Sequence, residues 1–224
     1  MKEKQSDGSS ASAHSDADRS TVAEECVRKR VALYGGSFDP PHYGHILTIT
    51  HLLNSDWVDE VWLVPAGDGR YDKKPIAAAA QRKNMLELAV LQEFPDDSRV
   101  HIETLQLEGP LKESATFDLL EACSAAHPQC EFLFVIGADN VEQLPTWRSA
   151  SLLLRKYRFL LVMRGGEAAP LQLPDYILRV EQSERSSCNF SSSELRELIK
   201  IGAVVAGLLP ANVRRYIEKE NLYR

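Results

Sequence analysis

The chain has 224 residues, with 26 Lys and Arg against 32 Asp and Glu, a formal net charge of −6 and an isoelectric point near 5.6. A chain this acidic is a poor partner for nucleic acid or an anionic membrane, and no apolar run approaches the ~18–20 residues that span a bilayer. The length fits one domain, and we expect a cytoplasmic protein, with the nucleus left open, whose four cysteines are free thiols.

In chain order, residues 1–28 are rich in Ser, Asp and Ala and lack aromatic residues, so we expect a disordered tail before a folded domain at 29–224. Short apolar runs then alternate with helical periodicity. The predicted strands are 31–37, 60–64, 100–105, 131–136 and 158–163, with a weaker one at 176–181. The predicted helices are 44–54, 77–94, 114–126, 146–154, 192–200 and 211–220. This alternation predicts an α/β fold, a Rossmann-like, doubly wound and mainly parallel sheet with helices on both faces.

The loop after the first predicted strand reads GGSFDPPHYGH and begins at Gly35. Ligands of doubly wound sheets bind at the carboxyl ends of strands, so this loop is the first candidate for chemistry. Gly35 and Gly36 allow a sharp turn and close approach to a phosphate, and the following helix offers its N-terminal N–H groups to an anion. His42 and His45 would lie on the same side of that helix start, where a protonated or hydrogen-bonding imidazole pair stabilises phosphoryl charge. A turn followed by two ordinary polar histidines is the alternative.

A second cluster begins the predicted helix at 192–200, in the string NFSSSELR. Ser191, Ser192 and Ser193 offer an N-cap and further donors, and Arg196 follows about one turn later, within reach of phosphate oxygens. The alternative is a capped helix with a solvated arginine.

A third motif, GADN, follows the predicted strand at 131–136 and begins at Gly137. Its small residues would let a nucleoside approach, and the Asp139 carboxylate can accept hydrogen bonds from ribose hydroxyls. Trp147 comes seven residues after Asn140. An ordinary strand-to-helix turn and a tryptophan packed in a groove are the alternatives.

Together these motifs resemble the signatures of the HxGH nucleotidyltransferase superfamily, and within it the nicotinate/nicotinamide mononucleotide adenylyltransferases. The resemblance implies adenylyl transfer from ATP to the mononucleotide, giving the dinucleotide and pyrophosphate in NAD biosynthesis, with Mg²⁺ bound to ATP and no covalent enzyme intermediate. It implies catalytic roles for His42, His45 and Arg196. The ATP-binding residues that it implies are Gly35, Gly36, Ser37, Phe38, His42, His45, Gly137, Asp139, Ser191, Ser192, Ser193 and Arg196. The acceptor-binding residues that it implies are Ser37, Lys74, Thr116 and Trp147.

Two further features bear on the resemblance. Ala115 stands where family members often carry Tyr before the residue that is Thr116 here, so the contact with the pyridine ring stays open. The segment from Leu209 to Tyr223 resembles the closing helix of the family, for which we expect packing only.

The sequence leaves three alternatives open. One is a phosphopantetheine adenylyltransferase, which shares the HxGH loop, and another is a non-catalytic nucleotide-binding protein of the same fold. The third concerns the acceptor of the adenylyl group, which is either nicotinate mononucleotide or nicotinamide mononucleotide. We expect no nucleic-acid or membrane partner and leave a homo-oligomer open.

Overall fold

The computed structural model describes residues 28–68, 75–107, 111, 114–163, 172–180 and 188–224. The strands are β1 (Lys29–Gly36), β2 (Glu60–Pro65), β3 (Val100–Ile102), β4 (Cys130–Gly137), β5 (Arg158–Val162) and β6 (Ile177–Arg179). The helices are α1 (Tyr43–Leu53), α2 (Ala79–Glu93), α3 (Thr116–Ala126), α4 (Ala138–Val141), α5 (Ala150–Lys156), α6 (Ser192–Lys200) and α7 (Ala211–Lys219). The strands form one sheet in the order β3-β2-β1-β4-β5-β6, and each neighbouring pair is parallel. The predicted doubly wound α/β fold is confirmed.

Helices cover both faces of the sheet because successive strand residues point to opposite sides. On one face, Ala32 and Leu133 belong to a buried cluster shared with α1, α2, α6 and α7. On the other face, Leu33 and Phe134 belong to a cluster shared with α3 and α5. The central strands are therefore apolar along most of their length, as strands covered on both sides are.

The predicted elements occur in the predicted order, with differences around residues 138–150. The GADN motif forms the short helix α4, which the sequence analysis missed. A 3₁₀ turn at Leu144–Thr146 follows, and Trp147 is then extended and Ser149 left-handed at φ 59°. The helix predicted at 146–154 begins only at Ala150 for this reason. The third strand also ends at Ile102 rather than at 105.

The strand order reverses between β1 and β4. The chain leaves β1 into α1 on one face and leaves β4 towards α5 on the other, so the two connections diverge and open a crevice at the carboxyl end of the sheet. Gly36 and Gly137 end the two strands at this crevice. The fold thus brings the first and third sequence motifs to one place.

Several predictions concern other parts of the chain. A disordered tail was predicted at residues 1–28. Residues 1–27 lie outside the described part of the chain, so this disorder stays a prediction. Among the described cysteines, Cys123, Cys130 and Cys188 are free. In the described part of the chain, no helix combines the length and apolarity needed to cross a membrane.

Candidate active site

The glycines of the GGSFDPPHYGH loop serve close packing. A Cβ on Gly35 would lie 3.1 Å from the Phe134 ring, and one on Gly36 would lie 3.1 Å from the Phe38 ring. The glycines were predicted to allow the sharp turn, but neither has a positive φ, and the left-handed residue of the loop is Phe38 at φ 48°. Phe38 is 1% exposed and fills the space beneath the loop. Burial of this aromatic ring therefore holds the turn, and the glycines permit its close approach.

His42 and His45 form the capping box of α1. His42 is the N-cap, and its Nδ1 accepts a hydrogen bond from the Gly44 N–H at 3.1 Å. In return, Nδ1 of His45 accepts from the His42 N–H, also at 3.1 Å. The ring centroids lie 3.8 Å apart, so the predicted placement of both imidazoles on one side of the helix start is confirmed.

These hydrogen bonds determine where the imidazole protons lie. A ring nitrogen that accepts a hydrogen bond carries no proton, so Nδ1 of each ring is the acceptor and Nε2 is the nitrogen that can donate. The sequence analysis left open a protonated or a hydrogen-bonding pair, and the geometry favours the second. The backbone of α1 thus orients two Nε2–H donors side by side at the N-terminus of a helix.

Gly44 and Cys188 lie against this pair. A Cβ on Gly44 would lie 2.8 Å from the His42 ring and 3.3 Å from Sγ of Cys188, so only glycine leaves the ring its place. The Phe190 ring also packs on His42, with ring centroids 5.1 Å apart. Burial raises the pKa of the Cys188 thiol. The segment that leads into α6 therefore packs directly on the histidines.

The three serines at the start of α6 have three different hydrogen-bonding roles. Ser191 is the N-cap, and its hydroxyl accepts from the Glu194 N–H and donates to the Glu194 carboxylate. These hydrogen bonds from Ser191 lower the pKa of Glu194. Ser192 donates its hydroxyl to the Pro40 carbonyl at 2.9 Å, and Ser193 accepts from Nη2 of Arg196 at 3.1 Å. The hydroxyls of Ser191 and Ser192 thus already donate within the protein.

Arg196 joins α6 to the first loop. Its Nη1 donates to the Asp39 backbone carbonyl at 2.7 Å and lies 3.8 Å from Oδ2 of the Asp39 carboxylate. The side chain of Arg196 is 17% exposed. Together with the hydrogen bond from Ser192 to Pro40, these contacts bring the second motif against the first, although about 150 residues separate them. The sheet and the two helix N-termini create one region rich in hydrogen-bond donors.

Asp39 is a buried acidic residue to which the sequence analysis gave no role. It is 2% exposed, and its carboxylate accepts from the N–H groups of Ile76 and Ala77 and from the Tyr223 hydroxyl. A buried carboxylate is costly unless such donors surround it. The closing segment was expected to make packing contacts only. This expectation is wrong at Tyr223, whose hydroxyl donates to Asp39 in the GGSFDPPHYGH loop, called the signature loop from here on.

Arg82 is a second buried ion that the sequence analysis did not assign. Its side chain is 0% exposed and donates to the carbonyls of Ser37 and Ala77 and to the Asp68 carboxylate. A fully buried guanidinium requires several acceptors. Arg82 thereby fixes the backbone at Ser37, near the start of the signature loop.

At the end of β4, Gly137 is the N-cap of α4. A Cβ at this position would lie 2.6 Å from Oδ1 of Asp139, so glycine allows the carboxylate to fold back over the strand end. Asp139 is exposed and accepts from the Asn140 side chain at 2.9 Å. The carboxylate is therefore at the crevice and accessible to a ligand.

Trp147 lies near the same strand end. Its ring meets Phe134 edge to face, with centroids 6.1 Å apart, and Phe134 in turn lies beneath Gly35. Neighbouring Arg148 is 3.7 Å from the Asp118 carboxylate, in the first turn of α3, where Thr116 is the first helical residue. The structure thus places Trp147 and the start of α3 on one side of the crevice, whereas Lys74 lies outside the described residues.

Comparisons with known proteins agree with this geometry. The model of the cytidylyltransferase-like family matches residues 33–198. The chain is 36% identical over 197 residues to a probable nicotinate-nucleotide adenylyltransferase of Geobacillus thermodenitrificans, covering 87% of this chain and 86% of the relative. A protein of the same name from Bacillus cytotoxicus is 38% identical over 196 residues, with 87% and 98% covered. Among solved structures, the nicotinic acid mononucleotide adenylyltransferase of Plasmodium falciparum complexed with NaAD has a TM-score of 0.70 and 25% identity, with 87% and 97% covered.

Proposed function

Because the chain belongs to the cytidylyltransferase-like family and, within it, to the nicotinate-nucleotide adenylyltransferases, we propose that it transfers an adenylyl group from ATP to nicotinate mononucleotide. The products are the dinucleotide and pyrophosphate, and the reaction belongs to NAD biosynthesis. The observation that carries this proposal is the meeting of the α1 and α6 N-termini. The hydrogen bonds from Ser192 to Pro40 and from Arg196 to Asp39 join them into one site for a triphosphate.

In the proposed reaction, a phosphate oxygen of the mononucleotide attacks the α-phosphorus of ATP. The bond from that phosphorus to the oxygen bridging to the β-phosphorus breaks, and pyrophosphate leaves with the electron pair. No protein nucleophile is needed. The task of the site is to align the reactants and to stabilise charge on the phosphoryl oxygens.

The triphosphate side is assigned to three groups. The Nε2–H groups of His42 and His45 would donate to phosphate oxygens near the α-phosphorus, because their Nδ1 atoms already accept from the backbone. Arg196 would bind the departing pyrophosphate oxygens through the N–H groups that it does not give to Asp39 and Ser193. Ser191 and Ser192 would act mainly by shaping the helix N-terminus, since their hydroxyls donate elsewhere.

The nucleoside and acceptor sides are assigned by position. Asp139 would accept from the ribose hydroxyls of ATP, beside the backbone of Gly137. Trp147 would stack on or flank the pyridine ring, with Thr116 at the start of α3 nearby and Lys74 near the acceptor phosphate. The relatives are named for the nicotinate substrate, which favours the acid over the amide.

Mg²⁺ is proposed as an ion that arrives with ATP. The described residues contain no group of three metal-ligating side chains, so phosphate oxygens and water would supply its ligands. Bound to the triphosphate, it would neutralise part of the negative charge that opposes attack. A homo-oligomer and a cytoplasmic location stay predictions.

The test is product formation by the purified full chain with ATP and Mg²⁺ in the presence of nicotinate mononucleotide, nicotinamide mononucleotide or phosphopantetheine. Pyrophosphate release and chromatography of the nucleotide product are measured together. We expect dinucleotide with the acid mononucleotide at a higher kcat/KM than with the amide. Turnover of phosphopantetheine alone would establish the first alternative, and ATP binding without turnover of any acceptor would establish the non-catalytic one.

A matched control excludes contaminating activity. His45→Gln keeps an acceptor for the His42 N–H, since Gln at the third helical position completes a capping box, but it removes the imidazole donor. This variant should fold as the wild type does and lose about 10²–10³ in kcat. Equal activity of the two preparations would contradict the assignment of the site.

A further inference from the structure

The Tyr223 hydroxyl reaches the signature loop from the segment after α7. It donates to Oδ1 of Asp39 at 2.6 Å, across 184 residues of chain, and lies 3.9 Å from the sulfur of Met85. Burial and the neighbouring carboxylate raise the pKa of Tyr223, so the hydroxyl keeps its proton well above neutral pH and remains a donor. A short O–H···O⁻ bond in a buried setting is among the stronger hydrogen bonds of a protein.

Asp39 makes two different contacts with Arg196. Its backbone carbonyl accepts from Nη1 at 2.7 Å, which fixes the guanidinium, whereas its carboxylate stays 3.8 Å away. The oxygen that faces Arg196 is Oδ2, which accepts from the Ile76 N–H, whereas Oδ1 accepts from the Ala77 N–H and the Tyr223 hydroxyl. A carboxylate that moved closer would compete with phosphate for the same N–H groups.

We propose that Tyr223 is a positioning residue for the triphosphate site, acting through Asp39 on Arg196. By holding Oδ1 of Asp39, its hydroxyl fixes the orientation of the carboxylate, which keeps Oδ2 at 3.8 Å from Arg196 and leaves the guanidinium available to ATP. This inference rests on the proposed adenylyl transfer for its kinetic readout. It concerns the ATP side of the site, where Arg196 lies, and not the proposed acceptor side, to which Trp147 and Thr116 belong.

Tyr223→Phe is the direct test, because it removes one oxygen atom and keeps the ring beside Met85. The kcat/KM for ATP should fall about tenfold, while the KM for nicotinate mononucleotide changes less than threefold. General damage to the fold would instead affect both substrates. Tyr216→Phe is the matched control, since this tyrosine lies on α7 and its hydroxyl accepts from Asn84 at the surface.

A double-mutant cycle separates positioning from structure. In an Arg196→Met background, Tyr223→Phe should change kcat/KM for ATP less than twofold, because the group through which Tyr223 acts is gone. The same tenfold loss in both backgrounds would overturn the inference, and so would wild-type kinetics for Tyr223→Phe alone. Thermal unfolding of all four proteins verifies that each is folded.

Failure of the proposed function is distinguishable from failure of this inference. If the wild type forms no dinucleotide, calorimetric binding of a non-hydrolysable ATP analogue replaces kinetics in the same four proteins. The positioning role is supported if Tyr223→Phe weakens the affinity for the analogue when Arg196 is present and does not weaken it in the Arg196→Met background. Equal affinities of the wild type and Tyr223→Phe overturn it.

Discussion

Substitution of His42 separates its structural role from its chemical one. The side chain of His42 caps α1 through Nδ1 and packs against the rings of His45 and Phe190. Loss of an N-cap costs about 1 kcal/mol, and loss of the ring contacts costs about as much. His42→Ala should therefore lower the free energy of unfolding by about 2 kcal/mol, or about 4–8 °C in Tm for a chain of this size.

His42→Asn keeps the cap because its amide oxygen can replace Nδ1 as the acceptor for the Gly44 N–H. It loses only the ring contacts, so the expected decrease is about 1 kcal/mol, or about 2–4 °C. Both variants lack the Nε2–H donor, and both should lose about 10²–10³ in kcat.

The assay combines thermal unfolding with pyrophosphate release at saturating ATP and nicotinate mononucleotide. The two variants should differ in Tm and agree in kcat. A kcat of His42→Asn within threefold of the wild type would refute the role of the imidazole as a donor. Equal destabilisation by Asn and Ala would refute the role of Nδ1 as the cap.

Three further changes test other contacts. Gly44→Ala should reduce kcat/KM at least tenfold, because its Cβ would lie only 2.8 Å from the His42 ring and would push the ring aside. This loss is expected although alanine is the better helix former. Wild-type kinetics would contradict this interpretation. Arg82→Met should lower the free energy of unfolding, measured in urea, by about 2–5 kcal/mol, because the carbonyls of Ser37 and Ala77 lose their buried donor. A loss below about 1 kcal/mol would show that water replaces the guanidinium. Burial raises the pKa of Cys123 to about 12, so the native thiol should resist alkylation at pH 8. Above pH 9 the unfolded thiol ionises and the folded one does not, so this thiol should lower stability by up to about 1.4 kcal/mol per pH unit, and Cys123→Ala should reduce the slope by that amount.

The sequence predicted the fold well because its strands and helices have distinct hydrophobic periods. Runs such as Phe132–Ile136 are apolar throughout since both faces of β4 are covered, and this pattern is visible without a structure. The prediction failed between Gly137 and Ala150, where a four-residue helix, a 3₁₀ turn and a left-handed Ser149 follow one another. Such short elements are held by neighbouring packing, which periodicity does not report.

The candidate site was predictable where its residues are close in sequence. The spacing of His42 and His45 determined their relative position, because residues three positions apart at a helix start lie on the same side of the helix. The contacts of Asp39 with Arg196 and Tyr223 were not predictable, since they join segments that only the completed fold brings together. Nor could the sequence show which serine hydroxyls donate within the protein.

The hydrogen bond between Asp39 and Tyr223 also has a consequence for synthesis. A ribosome adds about 5–20 residues per second, so about 10–40 s separate the emergence of the two partners. During this time the signature loop has been made, but its buried carboxylate lacks one of its donors. A nascent chain should therefore acquire its full affinity for ATP only after the segment that follows α7 has docked.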